Sequence, residues 1–353
     1  MRLYRYSVRV NRSLLLVAGA ALAVVGCGAA PHAAKPDAAV ATHSPVVPST
    51  APPTTAAVYP LTGLPVSNAD NARRPALSVK IDNIGAALPQ AGLNQADIVS
   101  DILVEGGLTR LMATFQSQDA SLIGPVRSAR PVDADLLREL DGGIFGYSGA
   151  APGEIAPSKA HSTALLVSND NDPRWFWRQP GRAAPHNVFT STALLYKAGR
   201  TMRKNLPTAP QLFSYSSTLP AGPAAHTVTI PFSGLSTAGW TWNGHSYLRT
   251  QNGQPDRLVN GARVTTTNVV ILSVTWRPTH IIDDAGNADP YVIVIGSGNA
   301  WILRDGRVIA GKWVRPSYQV PVRLLDRTGH QIPLAPGRTW LELQPRPYSP
   351  AFR

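Results

Sequence analysis

Ile98-Val99-Ser100-Asp101-Ile102-Leu103-Val104-Glu105-Gly106-Gly107-Leu108-Thr109-Arg110-Leu111-Met112-Ala113-Thr114-Phe115 reads as two apolar runs separated by a diglycine. Both glycines tolerate the positive φ of a primed turn, so the stretch predicts a β-hairpin with residues 98–105 and 108–115 as its arms. Upstream, Ala76-Leu77-Ser78-Val79-Lys80-Ile81 predicts a third strand. Downstream, Pro131 suits the first turn of a helix ending near Leu140, where Asp141-Gly142-Gly143 supplies a stop. A second helix is expected from Thr190 or Ser191 through Leu194, Leu195 and Ala198 to Lys204, its basic end matching the negative pole of the helix dipole. Residues 59–212 therefore predict a mixed α+β or α/β domain.

Past the breakers Pro207, Pro210, Pro220 and Pro223 the pattern changes to short β-rich runs: 228–232, 240–242, 247–249, 269–274, 291–295, 301–304, 308–313, 322–325 and 340–343. Asp305-Gly306 predicts a hairpin turn, Asp283-Asp284-Ala285-Gly286-Asn287 a second, and Gly296-Ser297-Gly298 a tight turn. A mainly antiparallel β domain over 213–345 follows, with 346–353 as a tail. Trp240, Trp242, Trp276, Trp301, Trp313 and Trp340 sit on or beside these runs. Aromatic residues so placed pack in cores or across strands more often than they line a carbohydrate or peptide groove, and the core reading is the expectation.

The amino end is of a different kind. Arg2, Arg5, Arg9 and Arg12 form a basic head, residues 14–25 are apolar but too short to span a bilayer, and Leu22-Ala23-Val24-Val25-Gly26-Cys27 has the form of a lipobox. Cleavage after residue 26 leaves Cys27 to carry a diacylglycerol, which anchors the mature chain on the outer face of a bacterial cytoplasmic membrane. Cys27 is the only cysteine of 353 residues, so neither a disulfide nor a free thiol site is expected. Residues 27–58 are rich in Ala, Pro and Thr without apolar periodicity and read as a tether. Losing residues 1–26 removes four arginines and no acid, so the net charge falls from +12 to +8. Residues 213–353 hold 13 Lys and Arg against 7 Asp and Glu. That excess suits an anionic envelope polymer or lipid surface, although its scatter also fits an ordinary solvated surface. Nucleic acid is not an expected partner of a chain placed outside the membrane.

A series of motifs carries a family resemblance. Pro60-Leu61-Thr62-Gly63, Lys80-Ile81-Asp82-Asn83, Val104-Glu105-Gly106-Gly107-Leu108-Thr109-Arg110, Gly124-Pro125-Val126-Arg127-Ser128-Ala129-Arg130-Pro131 and Ala184-Pro185-His186-Asn187 occur in order. Thr267-Asn268-Val269-Val270, Gly296-Ser297-Gly298, Gly311-Lys312-Trp313 and Pro336-Gly337-Arg338-Thr339-Trp340 follow them. The series resembles the YerB-like bacterial lipoproteins, and the resemblance implies two domains without an assigned activity. The chain departs from the family pattern at Tyr147-Ser148-Gly149-Ala150-Ala151-Pro152, where His-Ala-Gly-Gly-Ser-Pro is typical, and at Asp101, where glutamate is typical.

Polar residues at the ends of apolar runs are the candidates for chemistry. Arg127 and Arg130 flank a Ser-Ala pair just before a helix start, so guanidinium forks and free N–H groups there suit a phosphate or carboxylate. Arg110, Asp82 and Asn187 are expected to join them, with His186 orienting a ligand and Glu105 fixing an arginine. The competing reading makes Glu105 and the arginines a structural ion network. Glu105 or His186 as acid or base would instead make the chain a cell-wall or phosphodiester hydrolase or transferase. Ser148 lies in an incomplete elbow motif and reads as a turn residue. No cofactor or metal is expected, given the absence of paired cysteines, His-Glu-x-x-His or an oxygen-rich calcium loop. An envelope binding module for an anionic ligand or protein partner is the leading reading; hydrolase and structural scaffold are the alternatives.

Overall fold

The computed structural model describes residues 57–283 and 286–353. Cys27, and the tether as far as residue 56, lie outside them. Asn68 caps a short helix α1 (Ala69–Arg73) by accepting from the Asp70 and Asn71 N–H groups. Strand β1 (Leu77–Asp82) follows, buried along its whole length. Strand alternation puts Leu77, Val79 and Ile81 on one face and Ser78, Lys80 and Asp82 on the other. The expected hairpin forms from β2 (Ile98–Leu103) and β3 (Thr109–Phe115). Its arms stop short because residues 105–107 make a single 3-10 turn, with Gly106 at φ 67° and Gly107 at φ 73°. β3 pairs antiparallel with β1, which sets Asp82 directly opposite Arg110. That register creates the polar face on which the charged residues meet.

The helix predicted after Pro131 is α2 (Asp133–Arg138), followed by β4 (Ile144–Tyr147). A helix not expected from sequence, α3 (Pro152–His161), comes next. Pro152 and Pro157 read as breakers, yet Pro152 occupies the first turn, where its missing N–H costs nothing. β5 (Leu165–Ser168), the two-residue strands β6 (Trp177–Arg178) and β7 (Val188–Phe189), and α4 (Thr192–Met202) complete this half. α4 is capped by Ser191 and buries Leu195 and Ala198. β4 runs parallel to β1 and β5 parallel to β4, so the sheet of this half is mixed.

The second half is almost wholly β: β8 (Thr227–Pro231), β9 (Thr237–Trp242), β10 (Tyr247–Gln251), β11 (Gln254–Pro255), β12 (Thr265–Thr266) and β13 (Asn268–Ile282). It continues through β14 (Ala288–Ile293), β15 (Gly296–Arg304), β16 (Arg307–Arg315), β17 (Arg323–Leu325), β18 (Thr339–Pro345) and β19 (Ala351–Phe352). Each of the nine predicted runs falls on one of these strands, and most ladders are antiparallel. Asp305 and Gly306, at φ 52° and 71°, make the primed turn between β15 and β16. One expectation fails: Gly296-Ser297-Gly298 opens β15 rather than forming a turn. Gly298 is required by packing, because a Cβ there would stand 2.5 Å from the Trp313 indole nitrogen on the neighbouring strand.

β18 is the joint of the molecule. It lies parallel to β13 on one side and to β2 on the other, so one large sheet runs β17-β16-β15-β13-β18-β2-β3-β1-β4-β5, with β14 paired to β13. A second sheet, β11-β10-β9-β8-β19 with β12, packs against it. Between them Trp240 of β9 meets Trp340 of β18 edge to face at 5.1 Å. Arg249 of β10 crosses to Asp101 of β2 and is also held by Asp256, both at 2.6 Å. Trp240, Trp313 and Trp340 are thus core residues. Trp276, at 44% exposure, departs from the core expectation.

Candidate functional site

The polar face of β1 and β3 gathers most of the predicted charges. The first turn of α2 delivers Asp133 to Lys80 at 2.7 Å, both side chains fully buried. Burial lowers the Lys80 pKa and the Asp133 charge opposes that shift. Asp133 also accepts the Arg130 backbone N–H at 2.7 Å, which fixes the chain just before the helix. The 3-10 turn places Glu105 so that it accepts from Arg110 at 2.7 Å and from Arg130 through two nitrogens. Arg130 further reaches Glu154 of α3 at 3.0 Å and Asp289 of β14 at 3.4 Å.

Arg110 and Arg130 are therefore committed to protein carboxylates. Burial alone would raise the Glu105 pKa, but the Arg130 hydrogen bond and the two guanidinium charges outweigh it and hold the carboxyl at about 2. A group so held stays ionised at neutral pH, which suits fixing arginines and does not suit donating a proton. Asp289 has the opposite balance: burial outweighs the pull of Arg130 and lifts it to about 7.

A second group on the same face centres on Asp82. Asp82 Oδ2 lies 2.7 Å from His186 Nδ1 and 3.0 Å from Arg127 Nε, the latter without hydrogen-bond geometry. Facing a carboxylate, Nδ1 is assigned as the protonated donor, which leaves Nε2 as the other nitrogen. Among the described residues neither Nε2 nor the two terminal nitrogens of Arg127 has a protein partner. The Arg127 and His186 side chains are 20% and 15% exposed.

The backbone explains their position. Arg127 N donates to Lys80 O, Ser148 N to Arg127 O and Ala129 N to Gly149 O, so the segment is wedged between the carboxyl ends of β1 and β4. At the end of β5, Asp170 accepts the Gly149 N–H at 2.6 Å and Asn169 donates to Ser148 Oγ at 3.1 Å. Carboxyl ends of parallel strands are a frequent ligand position in α/β sheets.

Asn187 lies apart from both groups: its Oδ1 accepts from Arg178 at 2.7 Å and its Nδ2 donates to Arg182 O at 3.2 Å. Ser148 has a strand before it and a helix after it. Its backbone, however, is not among the positive-φ residues, so the strained elbow of a nucleophile is not formed. Among the described residues no three His, Cys, Asp or Glu side chains are grouped to hold a metal ion.

Sequence reasoning missed Lys80, Asp133, Glu154 and Asp289. A lysine inside an apolar strand and an aspartate in the first helical turn were visible signals for the first two. Glu154, three residues after Ala151, had the spacing of an N-terminal helix box. Asp289 reaches the network from 159 residues beyond Arg130, and no local pattern announces it.

Two family models match the chain: the protein of unknown function (DUF3048) N-terminal domain over residues 61–205 and the corresponding C-terminal domain over 228–341. The chain belongs to this family. It is 32% identical over 296 residues to a Bacillus subtilis protein named "Putative lipoprotein YerB", covering 81% of this chain and 86% of the relative. The crystal structure of YerB protein from Bacillus subtilis superposes with a TM-score of 0.72 at 26% identity, covering 84% of this chain and 99% of the other. The two-domain architecture expected from the motif series is therefore a property of the family.

Proposed function

We propose that the chain is a lipoprotein anchored through a diacylglycerol on Cys27 to the outer face of the bacterial cytoplasmic membrane, where it binds an anionic group of an envelope ligand at Arg127 and His186. The lipobox and the name of the Bacillus subtilis relative support the anchor. The observation that carries the binding site is the contrast within one charged face. Arg110 and Arg130 both pair with Glu105, whereas Arg127 and His186 both face Asp82 and have further nitrogens without a protein partner among the described residues. A guanidinium so held presents two parallel donors to a phosphate or carboxylate, and its neighbour imidazole adds a third. Asp82 acts as the positioning group, and Asn187 serves the adjoining loop.

Two measurements test the proposal. Cys27→Ala should leave the membrane fraction, and retention of a processed mutant protein as firm as that of the parent contradicts the anchor. Phosphate titration should show saturable binding that Arg127→Lys weakens with no change in melting temperature. Equal affinity in the two proteins contradicts the site.

A second reading is favoured by the 2.7 Å contact of Asp82 and His186. An imidazole with Nδ1 on a carboxylate and Nε2 outward has the orientation of a general base. On that reading a phosphodiester substrate is hydrolysed, and the activity disappears in His186→Gln.

A further inference from the structure

We propose that the cleft between the Gly106-Gly107 turn, the β13–β14 arm and the Arg346-Pro347-Tyr348 segment binds a carboxylated saccharide. The cleft has a volume of about 600 Å³, inside the range of roughly 300–1,000 Å³ usual for small-ligand sites. Its residues are distinct from Arg127 and His186, so either site can fail alone.

Four features select the ligand chemistry. Trp276 and Tyr348, 44% and 39% exposed, both line this concavity, whereas Trp240, Trp313 and Trp340 are in the core. Trp276 lies on β13 beyond the residues paired with β15 and β18, where the strand leaves the large sheet and pairs only with β14. Aromatic faces presented to a cleft stack on the apolar C–H face of a pyranose and leave its hydroxyl rim to polar neighbours. One such neighbour is present: Asn287 lines the cleft, and its side-chain oxygen has no protein donor among the described residues.

The third feature is charge. Arg346 lines the cleft, is exposed, and makes one side-chain hydrogen bond, from Nε to Ser273 Oγ at 3.3 Å. Among the described residues no carboxylate lies within ion-pair distance of it and no Asp or Glu lines the cleft. A guanidinium without a protein counter-charge among the described residues, in a cleft that two aromatic side chains also line, matches a sugar that carries a carboxylate. The fourth is the wall itself. Gly106 and Gly107 hold positive φ and contribute no side chain, which keeps the backbone accessible beside the aromatic pair. A wall of backbone and hydroxyl groups suits a hydroxylated ligand better than a purely apolar one.

The test uses the full chain purified in detergent and two probes: the disaccharide of N-acetylglucosamine with N-acetylmuramic acid, and chitobiose, which lacks the lactyl carboxylate. Saturation-transfer NMR and calorimetry should show the carboxylated disaccharide binding at least about tenfold tighter than chitobiose. Trp276→Ala and Tyr348→Ala should each weaken it about tenfold while the domain stays folded, since both side chains are partly exposed and outside the core. Trp276→Phe, which keeps a ring, should retain most of the affinity, and Arg346→Gln should abolish the preference for the carboxylated probe. The proposal is overturned by no binding of either sugar, by equal affinity for the two, or by affinity that survives loss of the aromatic pair. It is also overturned if anionic phospholipid vesicles protect Trp276 while the sugar does not compete, which would make this surface a membrane contact.

Discussion

Replacing Glu105 by glutamine tests whether the inner charge cluster is structural. Glutamine keeps the size of the side chain but removes the only carboxylate within ion-pair distance of Arg110 among the described residues. Arg110 is 6% exposed and would be left as a buried, uncompensated cation, while Arg130 would retain Glu154 and Asp289. The native environment holds the Glu105 carboxyl at about 2 against an ordinary 4.5, a difference worth about 3 kcal/mol. Partial exposure at the turn, 12% of the side chain, reduces this to about 2–3 kcal/mol. The same carboxyl gives the pH signature. Its folded value is depressed, so the stabilisation is present above the unfolded value of 4.5 and is lost as pH falls toward 2. Urea unfolding of parent and Glu105→Gln between neutral pH and about pH 3 should show a stability gap that is constant at the upper end and narrows below about pH 4.5. A gap below about 1 kcal/mol at neutral pH, or one independent of pH, refutes the structural assignment. Loss of anion binding at unchanged stability would move Glu105 into the ligand site.

Glu342, deep between the two sheets, is predicted to behave oppositely: burial and the Asp101 charge raise its pKa to about 8, so its contribution is lost as pH rises from the unfolded value of 4.5 through about 8. Glu342→Gln keeps an oxygen for the Trp240 indole N–H, and its stability advantage over the parent should grow across that window and level off above it. Gly107→Ala should cost roughly 1–2 kcal/mol, since φ is 73° and the new methyl would stand 3.1 Å from Ser233 Oγ. Gly85→Ala, with open space around it, should be nearly neutral in the same thermal melts.

Local patterns carried far in this chain. The diglycine between two apolar runs defined the β2–β3 hairpin, and Pro131 and Ser191 marked the starts of α2 and α4 within two residues. Helix α3 was missed because two prolines outweigh a weak amphipathic pattern, and only the fold shows Pro152 placed where a proline fits. The central position of β18 was not legible either: a parallel partner on each side depends on packing between distant segments, for which the residues of β18 carry no sign. The site divided in the same way. Asp82, Glu105, Arg110, Arg127, Arg130 and His186 do share one face, as the motif ends suggested, because β1 and β3 pair with Asp82 opposite Arg110. Glu105 pairs with Arg110 and Arg130, and the further carboxylates on Arg130, Glu154 and Asp289, reach the face from α3 and β14 and have no sequence neighbours in it.

The most direct test of the open site is the response of the His186 imidazole to inorganic phosphate, followed by NMR with His186→Gln to assign the signal. The account predicts a saturable shift of the Nε2 side of the ring in the parent. It predicts an affinity about tenfold weaker in Arg127→Lys at an unchanged melting temperature, because the charge remains but the paired donors do not. An imidazole indifferent to phosphate, or an Arg127→Lys protein that binds equally well while melting far lower, would contradict it and assign Arg127 and Asp82 to the same structural network as Glu105.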